Sequence, residues 1–390
     1  MRIAYVCADA GVPVFGRKGS SVHVQEMIRA LQRHGARVEL FAARVGEPPP
    51  SGFDALPIHR LPSIRDAEPA GHAAAVAALN HELAAAIERA GPYDLVYERY
   101  SLWSFAAMEH ARAAGTPGLL EVNAPLIEEQ SMHRGLCDAR GAARVATRVF
   151  RAATALVAVS AEVADWLERR PSARGGGRVH VLGNGVDPER FRPDVRPAAP
   201  GPPGTFTMGF VGSMKPWHGL PVLIEAFARL HHHDAATRLL LVGGGPEDAA
   251  VRTELASRGL ERAVALTGAV APSDVPGLLT SMDAAVAPYP DSQRFYFSPL
   301  KVFEYMAAGR AVVASRVGQL ASLIQHDVTG LLCPPGDAAS LAAALERLRR
   351  APEVRTRLGD AARASVLRGH TWDAVAARVL ELAARDPVAA

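Results

Sequence analysis

Lysine is nearly absent from this chain: of its 43 basic residues only Lys18, Lys215 and Lys301 are lysines. A coding bias toward arginine accounts for most of that deficit. Under such a bias, the survivors mark places where a compact ammonium serves better than a planar guanidinium. Cysteine is scarce as well. Cys7, Cys137 and Cys333 are odd in number and have no paired spacing, which excludes a zinc or disulfide framework and fits a reducing compartment. No apolar run is long enough to span a bilayer, and the opening MRIAYVCAD reads as a buried strand rather than a signal peptide. Charge of one sign is hardly in excess. A net charge of +3 argues against nucleic acid as the partner. Together these absences predict a soluble cytoplasmic protein.

What is present is a globular composition, 49% hydrophobic and 21% charged, in a 390-residue chain too long for one ordinary core. Strand-like and helix-like segments alternate throughout, which predicts a parallel α/β architecture. Strands are expected near Ile3–Ala8, Val38–Ala42, Leu95–Tyr97, Leu119–Val122, Ala155–Val159 and Val179–Leu182. Helices are expected at Ser21–His34, Ala73–Ala90 and Leu102–Ala114, with the proline-rich stretch from Pro48 to Pro69 as an irregular excursion. Five prolines between Arg192 and Thr205 predict an interdomain linker at 193–205. The alternation then restarts: strands at Phe206–Val211, Arg238–Val242, Ala263–Leu266, Ala284–Ala287 and Ala311–Ala314, helices at Leu220–His233, Asp248–Arg258 and Pro299–Ala308. The expected organisation is a domain over 1–192, the linker, a second domain over 206–370 and a closing helix over 371–390. A cleft between two such domains is the expected ligand site, and loops after strands are expected to carry the chemistry.

Helix starts attract anions because their first N–H groups are free and the dipole is positive there. Gly243-Gly244-Gly245-Pro246-Glu247-Asp248 resembles a phosphate loop, but its two carboxylates already complement the dipole, so a tight structural turn is expected. Ser298-Pro299-Leu300-Lys301 differs, with Ser298 fitting an N-cap and Pro299 the first helical position. Lys301 then sits in the first turn, where a cation opposes the dipole unless an anion binds. Glu304, one turn on, suits two ribose hydroxyls, since an ionised carboxylate only accepts; a plain Lys301–Glu304 surface pair is the other reading. Gly212-Ser213-Met214-Lys215-Pro216-Trp217-His218-Gly219 combines permissive glycines with donors at Ser213, Lys215 and His218, or is an ordinary turn. Gly16-Arg17-Lys18-Gly19-Ser20-Ser21-Val22-His23 reads either as a second anion loop or as a solvated one. His231-His232-His233 diverge around a helix and do not make a metal site.

Six collinear stretches carry a family resemblance: GRKGSSVHVQEMIRALQRHGARVELF, VHVLGNGVDPERFRP, GFVGSMKPWHGLPVLIEAF, LLLVGGGPED, LTGAVAPSDVPGLLTSMDAAVAPYP and SPLKVFEYMAAGRAVVAS. In this order they resemble the family-4 glycosyltransferases of GT-B fold, over nearly the whole chain. The resemblance implies two facing Rossmann-like domains with parallel sheets and an interdomain cleft. It also implies transfer, with retention, of a hexose-type sugar from a UDP- or GDP-linked donor to an acceptor small molecule or glycan, with no cofactor and no metal. The lack of any Asp-x-Asp agrees with the last point. By resemblance Glu304 holds the donor ribose, Lys215 and His218 fall at cationic diphosphate contacts, and Gly268-Ala269-Val270 falls where the nucleobase lies. The implied donor side comprises Gly19, Gly212, Ser213, His218, Gly268, Val270, Phe297, Ser298, Pro299, Leu300 and Glu304, with Glu304, Lys301 and Lys215 as catalytic candidates. Two departures stand out. Tyr296 replaces the first Glu of the family's spaced pair, and Ser213 and His218 replace its usual Arg and Lys. A nucleotide-sugar epimerase on the same fold, or a non-catalytic sugar-nucleotide-binding module, stays open beside the transferase.

On the acceptor or sugar side the candidates are Lys18, Ser20, His23, Glu98, Arg99, Glu121 and Asn123, with Glu128 close behind; caps or ion pairs explain them equally well. Finally, Arg140, Arg144 and Arg148 recur every four residues with Arg151 close by. This stripe reads as the solvated face of a domain helix, with at most weak membrane-surface contact.

Overall fold

The computed structural model describes residues 1–64, 71–133, 135–136, 138–291 and 295–385. The chain divides into two compact units. The first holds residues Met1–Asn184, Tyr296–Ser298 and Trp372 onward, and the second holds Gly185–Phe295 and Pro299–Thr371.

In the first unit seven strands form one parallel sheet: β1 (Arg2–Cys7), β2 (Arg37–Ala42), β3 (Ile58–Arg60), β4 (Leu95–Arg99), β5 (Gly118–Val122), β6 (Ala155–Ala158) and β7 (Val179–Val181). Their order is β3-β2-β1-β4-β5-β6-β7. Helices α1 (Gly19–Arg33), α2 (His72–Ala90), α3 (Ala106–Ala113), α4 (Leu126–His133), α5 (Ala139–Ala152) and α6 (Ala161–Glu168) accompany it. After Arg2, β1 is an uncharged, largely apolar run in which every residue from Ile3 to Cys7 is buried, as a strand covered on both faces must be. On α5 the apolar residues Ala142, Val145, Ala146, Val149 and Phe150 are buried while Arg140, Arg144, Arg148 and Arg151 are exposed. Asp138 caps that helix by accepting from the Gly141 N–H at 2.7 Å.

The second unit repeats the topology with six parallel strands: β8 (Phe206–Val211), β9 (Thr237–Val242), β10 (Val264–Leu266), β11 (Ala284–Ala287), β12 (Ala311–Ser315) and β13 (Leu331–Cys333). Their order is β10-β9-β8-β11-β12-β13. Around it lie α7 (Leu220–His233), α8 (Asp248–Ser257), α9 (Val275–Thr280), α10 (Leu300–Ala307), α11 (Gly318–Leu323), α12 (Ala338–Arg350) and α13 (Pro352–Gly369). The last helix, α14 (Trp372–Arg385), belongs to the first unit and packs on α1, where Arg33 Nε donates to Asp373 Oδ1 at 2.8 Å. Both sheets reverse direction between their third and fourth strands in space, at β1/β4 and at β8/β11. In such sheets ligands bind beyond the carboxyl ends of the strands at that reversal.

Several expectations change. The proline-rich excursion contains a strand, β3, which pairs with β2 at the sheet edge; its last residues, 65–69, lie outside the described set. β13 was not foreseen, because a three-residue LLC run has no readable period. α3 starts at Ala106, four residues later than the pattern suggested. There Asn80 Oδ1 accepts from the N–H groups of Phe105 and Ala106 and takes the place of a local cap. The proline-rich 193–205 stretch lies within the second unit and is hydrogen-bonded to it. Ala198 N–H donates to Gly277 O at 2.8 Å, Ala199 N–H to Ser281 Oγ at 2.9 Å, and Arg238 to Ala199 O at 2.8 Å. Cys7 and Cys333 are buried thiols; Cys137 lies outside the described residues. Among the described residues no helix is long and apolar enough to cross a membrane.

Candidate active site

In the second unit the β8/β11 reversal brings together Gly212, Ser213, Lys215, His218 and Lys301 of the donor-side and catalytic candidates, whereas Gly19, Phe297 and Ser298 belong to the first unit. β8 ends in Gly212, whose φ of +145° suits only glycine, and a Cβ there would lie 2.8 Å from Lys301 Nζ. Gly219, at φ +69°, closes the same loop against the end of β11, where a Cβ would strike the Pro288 carbonyl oxygen. Lys301 reaches in from the first turn of α10. Its stem is partly exposed, but its ammonium is buried and has no hydrogen-bond partner. Nζ lies 4.0 Å from the centre of the Phe210 ring and 5.5 Å from that of Tyr289. Burial pushes this lysine down to about 7, against a smaller upward pull from Glu304. A lysine nitrogen is thus buried at the carboxyl end of β8, with two aromatic faces beside it and no hydrogen-bond partner.

The flanking loops are less uniform than the sequence implied. Lys215 lies 5.7 Å from the Trp217 ring centre. His218 is not a second cation. Its Nδ1 donates to the Ser213 carbonyl at 2.5 Å, and burial, with Lys301 and Lys215 nearby, pushes the imidazole down to about 3. At neutral pH it is a neutral ring with Nε2 left as an acceptor, a poor contact for phosphate oxygen. The Gly243–Asp248 run is a structural turn, as expected. Asp248 Oδ1 accepts from the Gly245 N–H at 2.6 Å, and a Cβ on Gly245 would lie 2.5 Å from the Met214 carbonyl oxygen. Pro246 precedes α8 in that turn rather than starting the helix. Gly268, at φ +67°, pairs with Gly243 across the ends of β10 and β9 through Gly243 N–H to Gly268 O at 3.0 Å, with Val270 two residues on.

The helix start itself needs correction. α10 begins at Leu300 with Pro299 at the cap position and no side-chain cap. Ser298 does not cap it. The serine belongs with Tyr296 and Phe297 to the first unit, where its Oγ accepts from the Asn184 N–H at 2.9 Å and its carbonyl accepts from Asn184 Nδ2 at 2.5 Å. Tyr296, which stands in the place of a carboxylate, donates through its hydroxyl to Glu129 Oε2 at 2.9 Å, and its carbonyl accepts from Ser160 Oγ at 2.9 Å.

In the first unit the β1/β4/β5 ends hold a buried polar cluster. Strand alternation puts Arg99 and Glu121 side by side on one sheet face, with Tyr5 and Tyr97 further back on it, their ring centres 5.3 Å apart. Glu121 Oε1 lies 2.6 Å from His23 Nε2, and Glu121 Oε2 lies 3.7 Å from Arg99. Burial pushes the Glu121 carboxyl up, but His23 and Arg99 outweigh it and hold it below the usual carboxylate range. Asn123, two residues on, has a buried Oδ1 with no partner. Glu98 points to the opposite face, fully buried, accepting from the Ser104 hydroxyl, and burial raises it to about 7. The structure therefore separates Glu98 from Arg99 and joins Arg99 to Glu121. Glu128 is a structural anchor, accepting from Trp166 Nε1 at 3.0 Å and from Arg170 at 2.5 Å. Lys18 and Gly19 are exposed and Ser20 is half-buried at the start of α1, apart from the His23 contacts. Arg148 of the basic stripe is bidentate to Glu109, both bonds 2.8 Å, and lines a surface depression of about 510 Å³ with Glu109, Arg112, Ala113, Arg151 and Ala152 that contains no candidate residue. Asn184 and Tyr289 were given no role from sequence, since each contact depends on strands and loops brought together by the fold.

The two sheets, with their repeated strand order, form the GT-B fold, and comparison with known proteins agrees. The family described as Glycosyltransferase Family 4 matches residues 17–190, and that described as Glycosyl transferases group 1 matches residues 205–350. The D-inositol 3-phosphate glycosyltransferase of Streptomyces scabiei is 30% identical over 397 residues, covering 93% of this chain and 85% of that protein. Among solved structures, sucrose-phosphate synthase from Thermosynechococcus elongatus superposes with a TM-score of 0.75 at 19% identity over 100% of both chains. Anabaena HepE in complex with UDP-glucose gives 0.71 at 19% over 98% of both. The chain belongs to glycosyltransferase family 4.

Proposed function

We propose that this glycosyltransferase moves a hexose-type sugar from a UDP- or GDP-linked donor to a hydroxyl of a small-molecule or glycan acceptor, with retention at the anomeric carbon and without a metal or cofactor. The observation that carries this reading is the buried ammonium of Lys301, lacking a hydrogen-bond partner at the carboxyl end of β8. A diphosphate there would receive a charge-assisted hydrogen bond in a poorly solvated site, and Lys215 would add a second cation. As the bond from the anomeric carbon to the diphosphate breaks, negative charge grows on the leaving oxygen and both ammonium groups oppose it. The acceptor oxygen then bonds to the same face of the sugar, and its proton passes to the departing phosphate oxygen. Glu304, one turn beyond Lys301 on α10, is assigned to the ribose hydroxyls. HepE was solved with UDP-glucose, which supports a uracil-linked donor as the first one to test.

Titration calorimetry with UDP, GDP and the corresponding nucleosides tests the assignment. Lys301→Ala should weaken diphosphate binding by about 1–3 kcal/mol and leave nucleoside binding unchanged. Glu304→Gln should weaken both. Equal loss of nucleoside and diphosphate in Lys301→Ala would place that lysine elsewhere. Incubation of the donor alone, with no acceptor, should leave the sugar unepimerised; a changed sugar would make the protein an epimerase.

A further inference from the structure

At the carboxyl ends of β4 and β5 the first unit gathers polar atoms that its own packing leaves unused. Register sets Arg99 beside Glu121, and the Tyr100 N–H donates to the Glu121 carbonyl at 2.8 Å, which ties the two strand ends together. Asn123 follows β5 directly, and Ser101 lies two residues past the end of β4. Among the described residues, Arg99 Nη1, Ser101 Oγ, Glu121 Oε2 and Asn123 Oδ1 are buried atoms with no hydrogen-bond partner. The 3.7 Å approach of Arg99 to Glu121 is an ion pair, too long for a hydrogen bond. The other Glu121 oxygen is taken by His23. Further in, the Tyr5 and Tyr97 hydroxyls are unpaired as well, and burial, with Glu121 adding to it, pushes both well up, so they stay neutral. Buried polar atoms are costly until something bonds to them, and here they crowd the strand ends where ligands bind in such sheets.

The kinds of atom select a ligand. Arg99 only donates, Glu121 Oε2 and Asn123 Oδ1 only accept, and the Ser101 hydroxyl does both. Charge does not favour an anion there. One guanidinium faces one carboxylate, and Asp9, just past β1, adds a second carboxylate close enough to act with Arg99 on the Cys7 thiol. A phosphate monoester would set oxygens that only accept against Glu121 and Asn123, and its charge against the carboxylates. A hydroxyl both donates and accepts. Two neighbouring hydroxyls of one ring can donate to Glu121 Oε2 and Asn123 Oδ1 and accept from Arg99, which satisfies all three residues at once. We propose that Arg99, Glu121 and Asn123 form an acceptor subsite for a pair of adjacent, unphosphorylated ring hydroxyls, as a neutral sugar or cyclitol presents them. This rests on the transferase reading given above and narrows it to the chemistry of the acceptor.

The experiment uses matched pairs: myo-inositol with D-inositol 3-phosphate, and methyl α-D-glucoside with its 6-phosphate. Saturation-transfer NMR titrations of the full chain, with and without UDP or GDP, give the affinity for each, and thermal melting checks the fold of every variant. The unphosphorylated member of at least one pair should bind, about tenfold more tightly than its phosphate, the scale of one unfavourable charge contact. Asn123→Ala removes an oxygen with no partner of its own. It should melt normally, lose about five- to tenfold in affinity for the neutral sugar and keep its affinity for UDP and GDP. Glu121→Gln should bring the phosphorylated member within about twofold of the neutral one; Asn123→Lys, which adds a cation instead, decides the matter if that variant fails to melt cooperatively. Tighter binding of the phosphorylated members by the wild type, unchanged sugar binding in Asn123→Ala, an unchanged gap in the charge variants, or no sugar bound at all would each overturn the proposal. Sugar binding with no nucleoside diphosphate bound would remove the donor reading and leave this subsite; nucleoside diphosphate binding with no sugar bound would do the reverse.

Discussion

If Lys301 receives the donor diphosphate as proposed, it couples proton binding to ligand binding. Its folded value of about 7 lies well below the ordinary 10.5, so between those limits the unfolded chain holds a proton that the folded chain has released. For this group, stability therefore rises with pH across that window, because the unfolded state binds more protons there. A bound diphosphate favours the charged form, so above about pH 7 binding must take up a proton, and affinity falls by up to about tenfold per pH unit. A nucleotide sugar, whose diphosphate diester does not titrate in this range, isolates the effect. Calorimetry at about pH 8 in buffers of different ionisation enthalpy should show uptake approaching one proton for the wild type and none for Lys301→Met. Equal uptake in both would assign the proton to another group.

The elements show where local preference yields to packing. Gly359 lies inside α13, where alanine would ordinarily favour the helix by about 1 kcal/mol. Here a Cβ would lie 2.2 Å from the Gly309 carbonyl oxygen, in the turn between α10 and β12. Gly359→Ala should therefore destabilise by about 1–3 kcal/mol, reversing the sign expected of an exposed helix position; urea unfolding measures it, and a stabilised variant would show that the helices can separate at no cost. The same precedence explains Ser298. Its sequence context reads as an N-cap, but a hydroxyl that already accepts from the Asn184 N–H is committed elsewhere.

For the whole molecule, charge is the variable that composition left undecided. The net charge is +3, and the basic stripe of α5 is partly neutralised in place. Arg148 is bidentate to Glu109 and lies 3.4 Å from the Phe105 ring centre, while Arg144 is 4.0 Å from Asp138. Guanidinium groups already engaged offer less to lipid phosphates, whose attraction is about 1 kcal/mol per free charge near the surface. Co-sedimentation with vesicles of anionic phospholipid at physiological salt should leave most of the protein in the supernatant; substantial pelleting would overturn that expectation.

Much of the architecture was legible because it rests on short-range pattern. Alternating apolar strands and amphipathic helices determined two parallel sheets, and the inward face of α5 could be read from the positions of Val145, Val149 and Phe150. The loop after β8 and the start of α10 stood out in the sequence as expected places for an anion, since glycine, proline and lysine act there through the local backbone, and the proposed diphosphate binding rests on that expectation. What those residues do chemically was decided by tertiary structure. His218 looked cationic in sequence, yet it is a neutral donor to Ser213 because it is buried beside two lysines. Lys301 became a buried cation only when β8 and β11 brought Phe210 and Tyr289 against it. His23, Glu121, Asn184 and Ser298 span most of the chain and share no period that could announce their contact. Periodicity reports which face of an element is apolar. Protonation and hydrogen bonding depend on which distant groups share a site and how much water they exclude, and only the folded chain decides that.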